Sequence, residues 1–383
     1  MWALDPDVAF LNHGSFGACP RPVLERQQRL REELEREPVR FLSRELERRL
    51  DEARAALGRF VGADPDDLAF VPNATTGVNT VVQSLSLGPG DEVLTTDHAY
   101  NACRTASARA AARAGARLTV AAVPFPLSGP AEVERAVLSA VTERTRLVVL
   151  DHVTSPTGIV FPLERLVPAL AARGVDTLVD GAHAPGMLEL DLTRLGAAYY
   201  TGNCHKWLCA PKGAAFLHVR RDRQAAIRPI VTSHGANSPR TDRSRFRLEF
   251  DWTGTQDPTA WLAVPEAIAV MGGATPGGWP ALMARNRGLA LEARDLLCDA
   301  LGVATPCPDA MLGALAAVPL PDAPRPAEPA RDPLHDALFE RFAIEVPVLT
   351  WPAPPRRLLR VSCQIYNERA HYERLAAALK TLI

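Results

Sequence analysis

Leu178-Val-Asp-Gly-Ala-His183 is followed by Thr201-Gly-Asn-Cys-His-Lys-Trp207, which sets Asp180 twenty-six positions before Lys206. Of the chain's 43 basic side chains only three are lysines, Lys206, Lys212 and Lys380; the other forty are arginines. Where arginine is so favoured, a lysine stands out as a residue kept for chemistry a guanidinium cannot do. A lysine amine can lose its proton and form a Schiff base, whereas arginine stays charged. An amine of that kind, paired with a carboxylate at the end of an apolar strand, points to a pyridoxal phosphate site. Taken singly, Lys206 also reads as a surface lysine in a turn and Asp180 as a turn or helix cap. Their spacing favours the paired reading.

Working outward, short apolar runs alternate with helical stretches from about residue 68 to 220, the pattern of a mostly parallel sheet with crossover helices. The strand candidates are Leu68–Val71, Glu92–Thr95, Arg117–Val123, Leu147–Leu150, Thr177–Val179, Ala198–Thr201 and Ala214–Val219. Helices are expected over Gly77–Leu87, Asn101–Ala114, Glu132–Val141 and Leu163–Arg173. Polar residues gather just after several strand ends, at Asn73 to Thr76, Asp97-His98, Asp151-His152 and Asp180 to His183. Open α/β sheets bind ligands at the carboxyl ends of their strands, so the site is expected there.

The expected organisation is an N-terminal arm (1–20) near the active site, a large α/β domain (21–265) and a smaller α+β C-terminal domain (266–383). The large domain opens with two helices, about Pro22 to Glu37 and Ser43 to Val61, the first presenting a solvated face of Arg and Glu. The small domain follows the glycine-rich break Gly272 to Gly278, with a long helix near 280–301, a strand Arg357–Cys363 and a terminal helix Glu368–Leu382. The run Pro319 to Pro326 is expected to be a loop, too rich in proline for a core element.

With 47% hydrophobic residues and a formal net charge of −1, the 383-residue chain has no surplus of either sign that would call for nucleic acid or an anionic membrane. No apolar run approaches the ~18 residues of a membrane span. The first residues carry acids where a secretory signal carries bases, so the cytoplasm is the expected compartment. The seven cysteines lack metal-ligand spacing and contain no CxxC pair, and free thiols are expected.

Two further stretches carry potential chemistry. Asn73-Ala-Thr-Thr-Gly-Val-Asn79, between a strand and a helix, would open backbone N–H groups at a helix N-terminus, a cradle for phosphate or an ordinary threonine cap. His98, just past a strand end, is a candidate to lie flat over a cofactor ring or to serve as a hydrogen-bonded structural residue.

The ordered set Phe10–Pro20, Asn73–Asn79, Asp97–Asn101, Ser155–Gly158, Asp180–Gly186, Asn203–Trp207, Trp252–Asp257 and Arg360–Asn367 resembles the class V aminotransferase-fold pyridoxal enzymes, which include cysteine desulfurases and kynureninase. Within them it is most similar to the isopenicillin N epimerase-like group. The resemblance implies the aspartate aminotransferase-like fold of type I, with a seven-stranded sheet, and pyridoxal 5'-phosphate as cofactor. It implies that Lys206 is the Schiff-base lysine and that Asp180 holds the pyridinium. His183 falls near the cofactor's phenolic oxygen, and His98 takes the stacking and catalytic position. Thr75, Thr76, Asn203 and His205 bind phosphate, joined across a homodimer by Thr255 of Trp252-Thr-Gly-Thr255. Arg360 clamps a substrate α-carboxylate, with Asn12, His13 and Tyr100 also on the substrate.

Cysteine desulfurases place a nucleophilic thiol on a loop ahead of that arginine, but Ile344-Glu-Val-Pro-Val-Leu-Thr-Trp351 holds no cysteine. Cys307 is the one remaining candidate thiol. The expected activity is chemistry at the α-carbon of an amino acid or amino-acid-bearing metabolite, the substrate amine displacing Lys206 from the cofactor aldehyde. Epimerisation, carbon–sulfur lysis and aminotransfer share the same first residues and stay open, as does a non-catalytic protein that keeps the fold.

Overall fold

The computed structural model describes residues 1–323 and 332–383. Among the described residues the strands in chain order are β1 (Ala9–Phe10), β2 (Leu68–Val71), β3 (Glu92–Thr96), β4 (Arg117–Ala121), β5 (Thr145–Asp151), β6 (Asp176–Asp180), β7 (Tyr199–Asn203), β8 (Ala215–Val219), β9 (Leu315–Leu320), β10 (Ile344–Glu345), β11 (Val348–Thr350) and β12 (Arg357–Ser362). Seven of them form one sheet in the order β2-β8-β7-β6-β5-β3-β4. All pairs are parallel except the two made by β8, which runs antiparallel to β2 and β7. The central strands are buried along nearly their whole length, as expected of strands covered by helices on both faces.

All seven strands expected from the sequence are present, Leu68–Val71 with the expected bounds and the other six with shifted ends. β4 stops at Ala121 instead of Val123, because the Val123 amide turns to the Asp97 carboxylate at 2.9 Å. β5 and β6 run on to Asp151 and Asp180, which face each other as register partners. The helix expected from Gly77 starts three residues earlier, over Ala74–Ser84. Asn73 is its cap, the side chain accepting from the Thr76 amide at 2.8 Å and so closing the first turn. Gly77 lets this helix lie directly on β7, since a Cβ there would fall 2.1 Å from Thr201 Oγ1.

β11, β12 and β9 form a separate antiparallel sheet, packed against the helix Gly278–Leu301, on which the terminal helix Arg369–Leu382 packs in turn. The expected loop from Pro319 needs correction. Pro319 and Leu320 close β9, with Pro319 opposite Leu358. β9 is an edge strand, where a residue without an N–H costs no ladder bond on the open side. Pro324 and Pro326 of that run lie outside the described residues.

The N-terminal arm is tied down by the parallel pair β1–β10. Its Gly17 has φ of +72°, and a Cβ there would lie 2.1 Å from the His205 carbonyl. Glycine is therefore required where the arm's backbone touches the turn that carries Lys206. No helix among the described residues is long and apolar enough to cross a membrane.

Candidate active site

Lys206 sits in the turn that follows β7, with its side chain inside the protein. Its Nζ lies 3.2 Å from His183 Nε2, and no carboxylate among the described residues is within ion-pair distance. Burial, reinforced by the charge of Arg360, lowers its pKa to about 8. A buried amine with a lowered pKa and no counter-ion is poised to attack a carbonyl.

The His183 ring defines how the two groups meet. Trp207 Nε1 donates to His183 Nδ1 at 3.3 Å. With Nδ1 accepting, the proton of the neutral ring belongs on Nε2, which then donates to the unprotonated amine of Lys206. Burial, with the charge of Lys206 adding to it, keeps His183 well below its usual pKa, in line with a neutral ring.

Asp180 ends β6. One carboxylate oxygen accepts from the Ala182 amide at 3.0 Å and the other from the Cys103 thiol at 3.0 Å. Burial and the neighbouring charge of Asp180 push the Asp151 carboxyl well above the usual carboxylate range.

These groups line a cavity of about 410 Å³ together with Thr75, Tyr100, Asn203 and His205. A second space of about 490 Å³ contains Arg104, Trp351 and Arg360 and shares Ser15, Phe16, Tyr100, Ser155 and Lys206 with the first. Arg360 on β12 is only 4% exposed. It donates to the Ser155 carbonyl at 2.7 Å, the Ser155 hydroxyl at 3.1 Å and the Ser15 hydroxyl at 2.8 Å, and to no carboxylate among the described residues. Its Nε is buried without a partner among the described residues. Burial lowers its pKa to about 10. An uncompensated buried cation costs several kcal/mol, and here it stands open to receive an anion.

The structure does not gather every expected residue. His98 is fully buried away from both cavities, Nδ1 at 2.7 Å from Thr157 Oγ1 and Nε2 at 3.1 Å from the Val123 carbonyl, with Trp351 packed on it at 4.5 Å between ring centroids. It cannot lie over a ligand in this space; Tyr100, two residues on, forms the wall instead. The Thr76 amide and hydroxyl both go to Asn73 Oδ1, so Thr76 closes the helix and does not line the cavity. Asn203 lines it, but its Oδ1 accepts from the Ala74 amide at 2.8 Å.

The arm also differs from expectation. His13 bonds Tyr366 at 2.7 Å and the Lys206 carbonyl at 3.0 Å, behind the cavity wall. Asn12 reaches Glu345 and accepts from the Ser15 hydroxyl, so it acts on the site only by holding Ser15 against Arg360. Ser15 and Phe16 are the arm residues that face the space. Thr255 is exposed and lines neither cavity. Cys307 is buried away from both, its thiol pushed up to about 11 by burial. Sequence reasoning missed Cys103, Ser15 and Asp151 as members of the site; only Asp151 carried a signal, as a polar residue at a strand end.

The donor set fits pyridoxal phosphate: a buried amine free of anions, a carboxylate at the floor and the capped start of the helix Ala74–Ser84 at one side. Bound there, the cofactor supplies an aldehyde for amino groups and a ring that withdraws electrons from the α-carbon.

The Aminotransferase class-V family model matches residues 17–293. Proteins called isopenicillin N epimerase from Streptomyces clavuligerus and Amycolatopsis lactamdurans are 40% and 41% identical, each over 99% of this chain and 96% of its own. A probable chloroplastic L-cysteine desulfhydrase of Arabidopsis thaliana is 31% identical over 99% of this chain and 84% of its own. Among solved structures, the cystine C-S lyase C-DES superposes with a TM-score of 0.79 at 23% identity, covering 98% of this chain and 97% of its own. The Escherichia coli cysteine desulfurase CsdA gives 0.80 at 19%, covering 99% and 95%. The fold is therefore that of the type I pyridoxal enzymes, and this chain belongs to the class V aminotransferase family as a pyridoxal-phosphate-dependent enzyme.

Proposed function

We propose that the enzyme epimerises an α-amino acid or a metabolite bearing one. The observation that carries this reading is a single continuous space in which a buried, carboxylate-free Arg360 and a proton-poor Lys206 face the same ligand. The guanidinium, held by Ser15 and Ser155, takes the α-carboxylate and so fixes which substituent of the α-carbon points at Lys206. The Lys206 amine, near its pKa at neutral pH, removes the α-proton as general base. Asp180 holds a proton on the ring nitrogen and Thr75 and His205 contribute to the phosphate subsite. Return of a proton to the opposite face inverts the centre. The two relatives of 40% and 41% identity over nearly the whole chain support epimerisation over other outcomes.

A carbon–sulfur lyase is the second reading, favoured by the 31% identical desulfhydrase relative. Desulfuration through a protein thiol is disfavoured, because all seven cysteines are buried and the stretch ahead of Arg360 faces the cavity with Leu349, Thr350 and Trp351. Incubation with a panel of amino acids in deuterated water separates the readings. Deuterium at an inverted α-carbon supports epimerase; release of pyruvate and sulfide from cysteine in its place refutes it. We also propose a homodimer in which the exposed Thr255 reaches the partner's phosphate subsite.

A further inference from the structure

We infer that Cys103 is a positioning residue for the chemistry at the α-carbon, its thiol fixing the Asp180 carboxylate that meets the cofactor's ring nitrogen. This rests on the proposed α-amino acid chemistry and on Asp180 as the partner of that nitrogen, and it adds a residue that acts from behind them.

Cys103 lies in the first turn of the helix Asn101–Arg113 and is buried. Its Sγ stands 3.0 Å from Asp180 Oδ2, at the end of β6. The other thiols with a donor contact turn elsewhere. Cys19 and Cys298 face backbone carbonyls at 3.9 Å, and Cys209 faces the Trp207 carbonyl at 3.5 Å. Cys103 alone among the described thiols is directed at a carboxylate, and that carboxylate lines the cavity with Lys206. Cys103 itself lines neither cavity, so it acts through Asp180.

Several groups surround Asp180. Asp151 is its register partner on β5, the charge of Lys206 faces it from the turn after β7, and Tyr200 on β7 has its hydroxyl 2.9 Å from His152 Nδ1. The donors to the Asp180 carboxylate among the described residues are the Ala182 amide on one oxygen and the Cys103 thiol on the other. A carboxylate has about four acceptor sites. One donor on each oxygen fixes its plane and leaves acceptor sites for a protonated ring nitrogen. Burial and the charge of Asp180 push the thiol well above its ordinary pKa, so it keeps the proton it donates. The same facts exclude Cys103 as a nucleophile: it is neutral, enclosed and behind the carboxylate.

Two measurements test this with Cys103→Ala, Cys103→Ser and Asp180→Asn. In the cofactor-free protein, infrared spectroscopy reads the S–H stretch, and the band lost in Cys103→Ala belongs to Cys103. That band is expected below those of the other six thiols, and to move up in Asp180→Asn, where a carboxamide is the weaker acceptor. In the holoenzyme, turnover of an α-deuterated amino acid gives the isotope effect on α-proton removal. Cys103→Ala is expected to lower kcat about tenfold with KM held and to raise that isotope effect, and Cys103→Ser to recover most of both. A residue that only packs the core would change thermal stability and leave the isotope effect at the wild-type value. A Cys103 band unmoved in Asp180→Asn, or equal rates of proton removal in the alanine and serine variants, overturns the inference. Failure of every amino acid to lose its α-proton in the wild type would refute the proposed function, while the infrared band would still decide whether the thiol holds Asp180.

Discussion

Lys206 Nζ lies 3.2 Å from His183 Nε2, and the indole of Trp207 fixes the proton on that nitrogen by donating to the other side of the ring. The amine is thereby an acceptor in its own hydrogen bond, which only its neutral form can be. Covalent attachment of pyridoxal phosphate to the cofactor-free protein needs that neutral form. Its rate is expected to rise about tenfold per pH unit and to level near pH 8, where Lys206 titrates. Stopped-flow absorbance checks this; a rise that continues toward 10.5 would contradict it.

Replacing Trp207 with phenylalanine removes the donor on His183 Nδ1 and frees the ring to change tautomer. The neutral amine then loses its partner, which favours the charged form and raises the Lys206 pKa. A break in the same loading profile moved upward by up to about one pH unit is expected. An unmoved break would show that the indole does not set the tautomer.

Asp180 binds the Cys103 thiol on one oxygen and the Ala182 amide on the other. Asp180→Asn is expected to lower kcat by on the order of 10² to 10³ while the protein still folds, because a neutral amide cannot balance a protonated ring. Cys103→Ser keeps a donor and is expected to keep the visible band, whereas Cys103→Ala is expected to shift it. Identical spectra for serine and alanine would mean that the thiol does not act on Asp180.

Arg360 sets function against stability. Arg360→Leu removes a buried cation with no carboxylate partner, so the cofactor-free protein is expected to melt at a higher temperature than the wild type. The same change is expected to raise KM for amino acids by about a hundredfold, and Arg360→Lys to recover little of it, since a point charge cannot replace a bidentate fork. Lower thermal stability with unchanged KM would show a structural arginine.

The exposed Thr255 gives a test of shared sites. Lys206→Ala and Thr255→Ala chains, each impaired alone, are expected to regain activity when unfolded together and refolded as mixed dimers. Each mixed dimer then holds one site with both residues intact. No recovery, with dimers present by sedimentation, would remove Thr255 from the partner's site.

The sheet was legible because strands buried on both faces write long apolar runs, and Asp180 and Lys206 were legible because their chemistry is rare in so arginine-rich a chain. The errors are of about one helical turn or less. Asn73 caps a helix that starts three residues before the expected Gly77, which turned Thr76 onto the cap and left Thr75 on the cavity. At the end of β3 the chain turns so that His98 is enclosed by Thr157, Val123 and Trp351, and Tyr100 is presented in its place. Trp351 is distant in sequence, so no local pattern announces that enclosure. Arg360 was legible as an anion binder, but its hydroxyl partners Ser15 and Ser155 come from an arm and a loop that only the fold brings together.

With only three lysines in the chain, the central claim has a direct test. The yellow holoenzyme is reduced with borohydride, digested, and its cofactor-bearing peptide sequenced. The account predicts a single modified residue, Lys206, with Lys212 and Lys380 untouched. Modification at either of those lysines, or none in fully loaded protein, would contradict it.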